Sequence, residues 1–210
     1  MSKVIAFTGK KGVGKDTAAE FFLEKGYAHV KFARPLKEIV ARSFGIPMRF
    51  LEQAEFKDKP FPEPFKPNGA TLSRLIDNLG KYKYNLHKKV KREAIKEVLF
   101  REYKTPREIL QVVGTDIARN IVSNTYWTDK TDIIIQGWLV RDIPVVITDV
   151  RFPNEVDIVK KYEGEVIEIT RETEKSEDNH ISENKVLDIS GKVCNNGSIE
   201  ELNKELEGLL

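Results

Sequence analysis

Hydrophobic positions fall into short unbroken runs separated by longer amphipathic stretches. Val4-Ile5-Ala6-Phe7, Pro144-Val145-Val146-Ile147 and Val166-Ile167-Glu168-Ile169 are too short for helices and too apolar for exposed loops. They predict strands buried in a sheet. Tyr27-Ala28-His29-Val30-Lys31-Phe32 alternates instead, as a further strand would, and Lys192 to Gly197 reads as a last short strand and turn. Helices are predicted from Ala18 to Leu23, from about Ala33 to Phe44, from Thr71 to about Leu79, from Thr131 to Val140 and, after the turn Val150 to Glu155, through Tyr162. Within 81–104 an amphipathic helix would bury Leu86, Val90, Ala94 and Val98. Thr105-Pro106 starts another, with Thr as N-cap and Pro at the first position, and the stretch from Asn120 to Trp127 ends it. Ser198, with Glu201 three residues on, caps a terminal helix. Residues 55–69 hold four of the nine prolines and predict a loop or flap, while the polar stretch 172–188 suits a flexible lid. Strands alternating with helices predict an α/β chain with a parallel sheet.

The first strand feeds the most informative stretch, Gly9-Lys10-Lys11-Gly12-Val13-Gly14-Lys15-Asp16-Thr17. The spacing is G-x-x-x-x-G-K, that of a phosphate-cradling P-loop. Glycines allow the backbone to close around an anion, and the helix that follows aims its free N–H groups and dipole at the same anion. Lys15 would reach the β- and γ-phosphates of a nucleotide. One position departs from the pattern: Asp16 stands where a Ser or Thr hydroxyl would bind Mg²⁺. The departure bears on metal ligation, not on phosphate binding.

Asp149 ends the apolar run from Pro144, and a carboxylate at the carboxyl end of a buried strand beside a P-loop can hold Mg²⁺ or its waters. Arg151 follows just past that strand tip, and Arg171 ends the strand from Val166. Arg34 and Lys37 lie at a strand-to-helix junction, the end of an open sheet where ligands bind. Arg107 falls in the first turn of its helix, where the dipole disfavours a cation by a few tenths of a kcal/mol, so an anion is expected beside it. Gln111, Gly114, Thr115 and Asp116 interrupt the apolar face of the same helix and predict a side that lines a cleft. Trp127 reads equally as core or as a base-stacking surface.

Composition narrows the classes. With 210 residues the chain can build one α/β domain with an inserted lobe. Its net charge of +2 gives no global field for nucleic acid, and Glu93, Glu97 and Glu102 dilute the basic run through 81–104 into a solvated helix face. The single cysteine, Cys194, excludes an intramolecular disulfide and suits a reducing cytoplasm. The strand from residue 4 leaves no room for a signal peptide, and no apolar run reaches the ~20 residues of a membrane helix.

With these residues in place, the chain resembles the bacteriophage deoxynucleoside monophosphate kinases, a branch of the P-loop nucleoside monophosphate kinases. The motifs that carry the resemblance run from Gly9 to Thr17, Phe32-Ala33-Arg34-Pro35-Leu36-Lys37, Arg107 through Gln111 to Gly114-Thr115-Asp116, Tyr126-Trp127, Asp149-Val150-Arg151 to Glu155, His180-Ile181-Ser182-Glu183 and Asn195 to Ser198. An aspartate after the P-loop lysine is itself a mark of that family. The middle, roughly 48–104, matches poorly. The resemblance implies a three-layer P-loop kinase fold over 1–210, with an acceptor-binding helical insertion at about 45–105 and a lid at about 171–190. It implies phosphoryl transfer from ATP to a deoxynucleoside 5′-monophosphate, with Mg²⁺ as cofactor. Lys15, Arg151 and Arg171 would be catalytic, and Gly12, Val13, Gly14, Lys15, Asp16, Thr17 and Asn195 would bind ATP. Lys11, Leu36, Lys37, Arg107, Gln111, Gly114, Thr115, Trp127, Asp149, Arg151 and Glu155 would bind the acceptor, and Asp16 and Asp149 the metal. A cytoplasmic location follows (the host's, for a phage-encoded chain), with ATP and the monophosphate as partners, no membrane or nucleic acid, and a homodimer left open. Other acceptors, dephospho-coenzyme A or a ribonucleotide, stay open too, as does a nucleic-acid-binding P-loop ATPase using 81–104.

Overall fold

Five parallel strands carry the chain's fixed frame. The structure, a computed structural model, describes residues 4–80, 86, 89–172 and 187–210. Lys81, Lys83 and Lys88 of the basic run, and most of the expected lid including His180, lie outside the described residues. The chain divides into two compact units, Met1–Phe32 with Thr128–Leu210, and Ala33–Trp127.

The first unit holds the sheet, in the order β2-β3-β1-β4-β5, with β1 Val4–Thr8, β2 Ala28–Val30, β3 Val145–Ile147, β4 Glu165–Thr170 and β5 Gly191–Cys194. Every pairing is parallel. Strand side chains alternate between faces, and two separate cores result. Ile5, Phe7, Val146, Ile167 and Ile169 pack with Ala18, Phe21 and Phe22 of α1 (Lys15–Glu24) and with Leu202 and Leu206 of the last helix, Ile199–Glu207. Val4, Ala6, Val145, Ile147 and Val166 pack on the other face against Ile135, Val156 and Val159. Helix, sheet and helix make the three layers that the resemblance implies. Ser198 caps the last helix as expected, accepting from the Glu201 N–H.

The second unit is helical among its described residues: α2 Ala33–Phe44, α3 Met48–Glu52, α4 Ala54–Lys57, α5 Gly69–Gly80, α6 Lys89–Leu99 and α7 Pro106–Gln111, around one apolar core. Thr105 caps α7 by accepting from the Glu108 N–H. Three expectations need correction. Helix α6 is shorter than 81–104 and buries Ile95 and Leu99, four residues apart; Val90 lies off that line and is 83% exposed. The proline-rich 55–69 is a loop only after α4, and it is pinned, not free: Phe65 and Tyr103 exchange backbone bonds of 2.8 and 3.0 Å, and the Phe61 N–H donates to the Lys104 carbonyl. Lastly, α7 does not simply continue. It widens into a π-helix, Val112–Val122, and α8 then starts at Tyr126, not Thr131, and runs to Leu139. Tyr126 Oη donates to the Leu79 carbonyl and Trp127 Nε1 to the Gly114 carbonyl, both at 2.8 Å, which anchors the first turn of α8. Two further helices complete the sheet unit, α9 Pro153–Lys161 and α10 Ile199–Glu207.

Candidate active site

Strand β1 delivers the chain to Gly9, and two glycines then decide the loop. Gly9 has φ +132°, and a Cβ there would lie 2.2 Å from the Ile169 carbonyl oxygen. Gly14 has φ +98°, and a Cβ would lie 2.2 Å from Nδ2 of Asn195. Both positions need a backbone that L side chains rarely adopt and lack room for one. Helix α1 begins at once, at Lys15. The Lys15 ammonium donates to the carbonyls of Gly9 and Lys10, each at 2.6 Å, so the loop wraps around it. Val13 is buried and its carbonyl accepts from Asn195 Nδ2 at 2.8 Å. Asn195 is thus 8% exposed and braces the loop from the end of β5. Lys10, Lys11 and Gly12 are exposed around it.

Asp16, in the first turn of α1, is held from β2 and β3. Lys31 Nζ donates to Asp16 Oδ1 at 2.6 Å. Thr148, just past β3, also favours the charged form of Asp16, and His29 Nε2 lies 2.9 Å from the Thr148 hydroxyl. Burial raises the Asp16 pKa, but the Lys31 ammonium, the Thr148 hydroxyl and the charge of His29 outweigh it and hold the carboxyl below its usual range. Asp149 Oδ1 accepts the Phe32 N–H at 2.8 Å. The turn after Asp149 is tied to β1, Thr8 Oγ1 donating to the Val150 carbonyl at 2.9 Å. Arg151 and Arg171 are exposed. Glu155 is not: it is 3% exposed, and its Oε2 accepts the N–H groups of Arg151 and Phe152. Its carboxylate holds the turn that carries Arg151 and caps α9.

In the helical unit, Arg107 occupies the first turn of α7 and an anion does stand beside it. That anion is Asp58, which takes the guanidinium in two prongs, Nε to Oδ1 and Nη2 to Oδ2, the second at 2.8 Å. Gln111 and Thr115 continue outward from Arg107 on the helix and are exposed. Gly114 is buried, and a Cβ on it would meet Leu36 Cδ2 at 2.9 Å. Its carbonyl takes the Trp127 indole N–H. Trp127 is 5% exposed with its ring edge-on to Tyr126, so core is the reading it takes here. Leu36 and Lys37 are half-buried on α2, and Arg34 pairs with Glu38 one turn on.

A comparison with known families settles the class. The family model described as deoxynucleotide monophosphate kinase matches residues 68–206. The chain belongs to that family. Among its relatives, the deoxynucleoside-5′-monophosphate kinase of Escherichia phage T5 is 28% identical over 77% of this chain and 73% of its own. The deoxynucleotide monophosphate kinase of Enterobacteria phage T4 is 26% identical over 99% and 98%. A solved dephospho-CoA kinase from Campylobacter jejuni covers 100% of the chain and 96% of its own at 13% identity, with a TM-score of 0.41, too loose a likeness to bear on the acceptor.

For a member of this kinase family the donor set can be tested against a metal. No group of three or more His, Cys, Asp or Glu converges among the described residues, so these offer no all-protein cage. Mg²⁺ needs none; it is held by one or two carboxylates with substrate phosphates and water. Asp16 and Asp149 follow the paired parallel strands β1 and β3 and fit that description. Sequence reasoning passed over His29, Lys31, Thr148 and Asp58. The alternation through Ala28 to Phe32 already puts His29 and Lys31 on one face; what it lacked was the neighbour, β3. No helix among the described residues is long and apolar enough to cross a membrane.

Proposed function

We propose that the chain transfers the γ-phosphoryl group of ATP to a deoxynucleoside 5′-monophosphate, yielding the diphosphate and ADP. The loop from Gly9 to Lys15 carries this reading: its backbone geometry and enclosed ammonium suit a polyphosphate, and family membership supplies the acceptor class. Lys15 holds the β- and γ-phosphates. Arg151 and Arg171 neutralise the group in flight, Lys11 bridges towards the acceptor, and Arg107 grips the acceptor phosphate. The nucleophile is a phosphate oxygen already ionised near pH 7, so positioning and charge neutralisation carry the catalysis and no strong base is needed. Asp16 and Asp149 would hold Mg²⁺, which spreads the charge of the donor's phosphates. The reading places the chain in a cytoplasm, where the exposed Cys194 stays reduced.

The test is ADP release with a panel of acceptors: the deoxynucleoside monophosphates, their ribose counterparts, dephospho-coenzyme A and no acceptor. Turnover is expected with one or more deoxynucleotides and at least about tenfold less with the rest, the size of one lost polar contact. Equal turnover with dephospho-coenzyme A, or ADP release without any acceptor, would overturn the acceptor assignment.

A further inference from the structure

Asp16 poses an electrostatic problem for the function just proposed. It puts a carboxylate in the first turn of the helix that faces the donor's phosphates. Two like charges within a few ångströms repel unless a cation lies between or beside them. Elsewhere the P-loop pattern avoids this with a neutral hydroxyl at that position.

The structure places a cation there. Lys31 follows β2 at the carboxyl end of the sheet, and its ammonium lies 2.6 Å from Asp16 Oδ1. The pair is asymmetric: the Lys31 side chain is 33% exposed, that of Asp16 72%. The lysine is the more enclosed partner, and the Asp16 side chain is largely open to water. Past β3, Thr148 pairs with His29, whose Nε2 lies 2.9 Å from its hydroxyl. Lys31 comes from a different strand than the loop and is not part of the P-loop pattern.

We propose that Lys31 is the positioning counter-ion of Asp16 in donor binding: it offsets the carboxylate when ATP binds without a divalent cation, and Mg²⁺ takes over that task when it accompanies ATP. Lys31 therefore sets how strongly ATP binding depends on the metal. This rests on the donor-loop reading above, and the experiment separates the two.

ATP affinity is measured by calorimetry on the full chain, in EDTA and in excess Mg²⁺. Lys31→Met should weaken metal-free ATP binding about tenfold, the effect of one uncompensated charge nearby. Binding of Mg²⁺ with ATP should change by less than about threefold. Because the two ligands are linked, the metal's effect on ATP affinity grows by the difference. Lys31→Arg should restore metal-free binding. Combining Lys31→Met with Asp16→Asn removes both charges and should return it to within about threefold of the parent. An equal loss in EDTA and in Mg²⁺, no loss in either, or no recovery in the double variant would overturn the proposal. If the parent chain binds ATP in neither buffer, the donor-loop reading itself fails.

Discussion

In the function proposed above, the donor loop and the Arg107 neighbourhood share one task, holding phosphate, with different materials. In the sheet unit the gripping groups are backbone atoms fixed by a strand end, two glycines without room for a side chain, and a helix start. In the helical unit they are side chains on α7 and α2, and the best-placed one, Arg107, grips Asp58. The first arrangement is built from residues within a dozen positions of one another, and only its bracing by Ile169 and Asn195 comes from afar. The second depends on pairs far apart in sequence: 58 with 107, 36 with 114, 114 with 127. A rigid cradle binds one kind of anion; a surface guanidinium can trade one anion for another.

The largest effect should come from the cradle. Lys15→Ala removes the ammonium that the loop encloses, and the loss should reach about 10²–10³-fold in kcat, the cost of a preorganised charge in the transition state. Near-parental turnover in a folded variant would mean that the loop holds something other than the transferring phosphate.

Arg107 should matter next, on the acceptor alone. Losing a charged hydrogen-bond pair costs ~1.5–3 kcal/mol, so Arg107→Ala should raise the KM for the monophosphate roughly 10- to 150-fold. The KM for ATP should stay nearly constant, and Arg107→Lys should recover only part, because an ammonium lacks the planar fork. Were ATP affinity to fall instead, Arg107 would belong with the donor.

Rigidity can be tested separately from charge. Gly14→Ala forces a side chain onto φ +98° and against Asn195, and should cost ~1–3 kcal/mol of unfolding free energy. Chemical denaturation reads it directly. A smaller cost would show that Asn195 swings away freely and is no brace. If ATP binding suffers while stability does not, the loop is the part that yields.

The same contrast explains what the chain announces of itself. Local rules make Val4 to Lys15 readable: an apolar run, a glycine spacing and a helix start follow one another. Thr105-Pro106 and Ser198 with Glu201 are readable for the same reason, since a cap concerns three or four residues. Trp127 is not readable, because only the fold brings Gly114 to its indole N–H. Neither is the π-helix from Val112 to Val122, whose i−5 bonds, such as the Ser123 N–H to the Ala118 carbonyl, leave no mark in the periodicity. Val90 misled because apolar residues at helical spacing do not say which of them meets the core. The acid after Lys15 was legible as an oddity, while its lysine lay fifteen residues on and one strand away.

Asp58 gives the smallest effect and the sharpest test of the comparison. Its carboxylate and the Arg107 guanidinium form the two-pronged pair that a phosphate would also form, and both side chains are open to water, 62% and 42% exposed. Exposed ion pairs are worth about 0–1 kcal/mol. If Arg107 grips the acceptor phosphate, it must give up or share Asp58 to do so, and that small cost is subtracted from acceptor binding. Asp58→Asn keeps the shape and removes the charge, so the monophosphate should bind tighter by up to about fivefold, with ATP unaffected. High salt, which screens the exposed pair, should shrink the difference. In an Arg107→Ala background the substitution should do nothing. If Asp58→Asn instead weakens the monophosphate, Asp58 serves to aim Arg107 rather than to compete for it. The acceptor site would then be built in advance, like the donor loop, and the contrast between the two units would be one of sequence distance only.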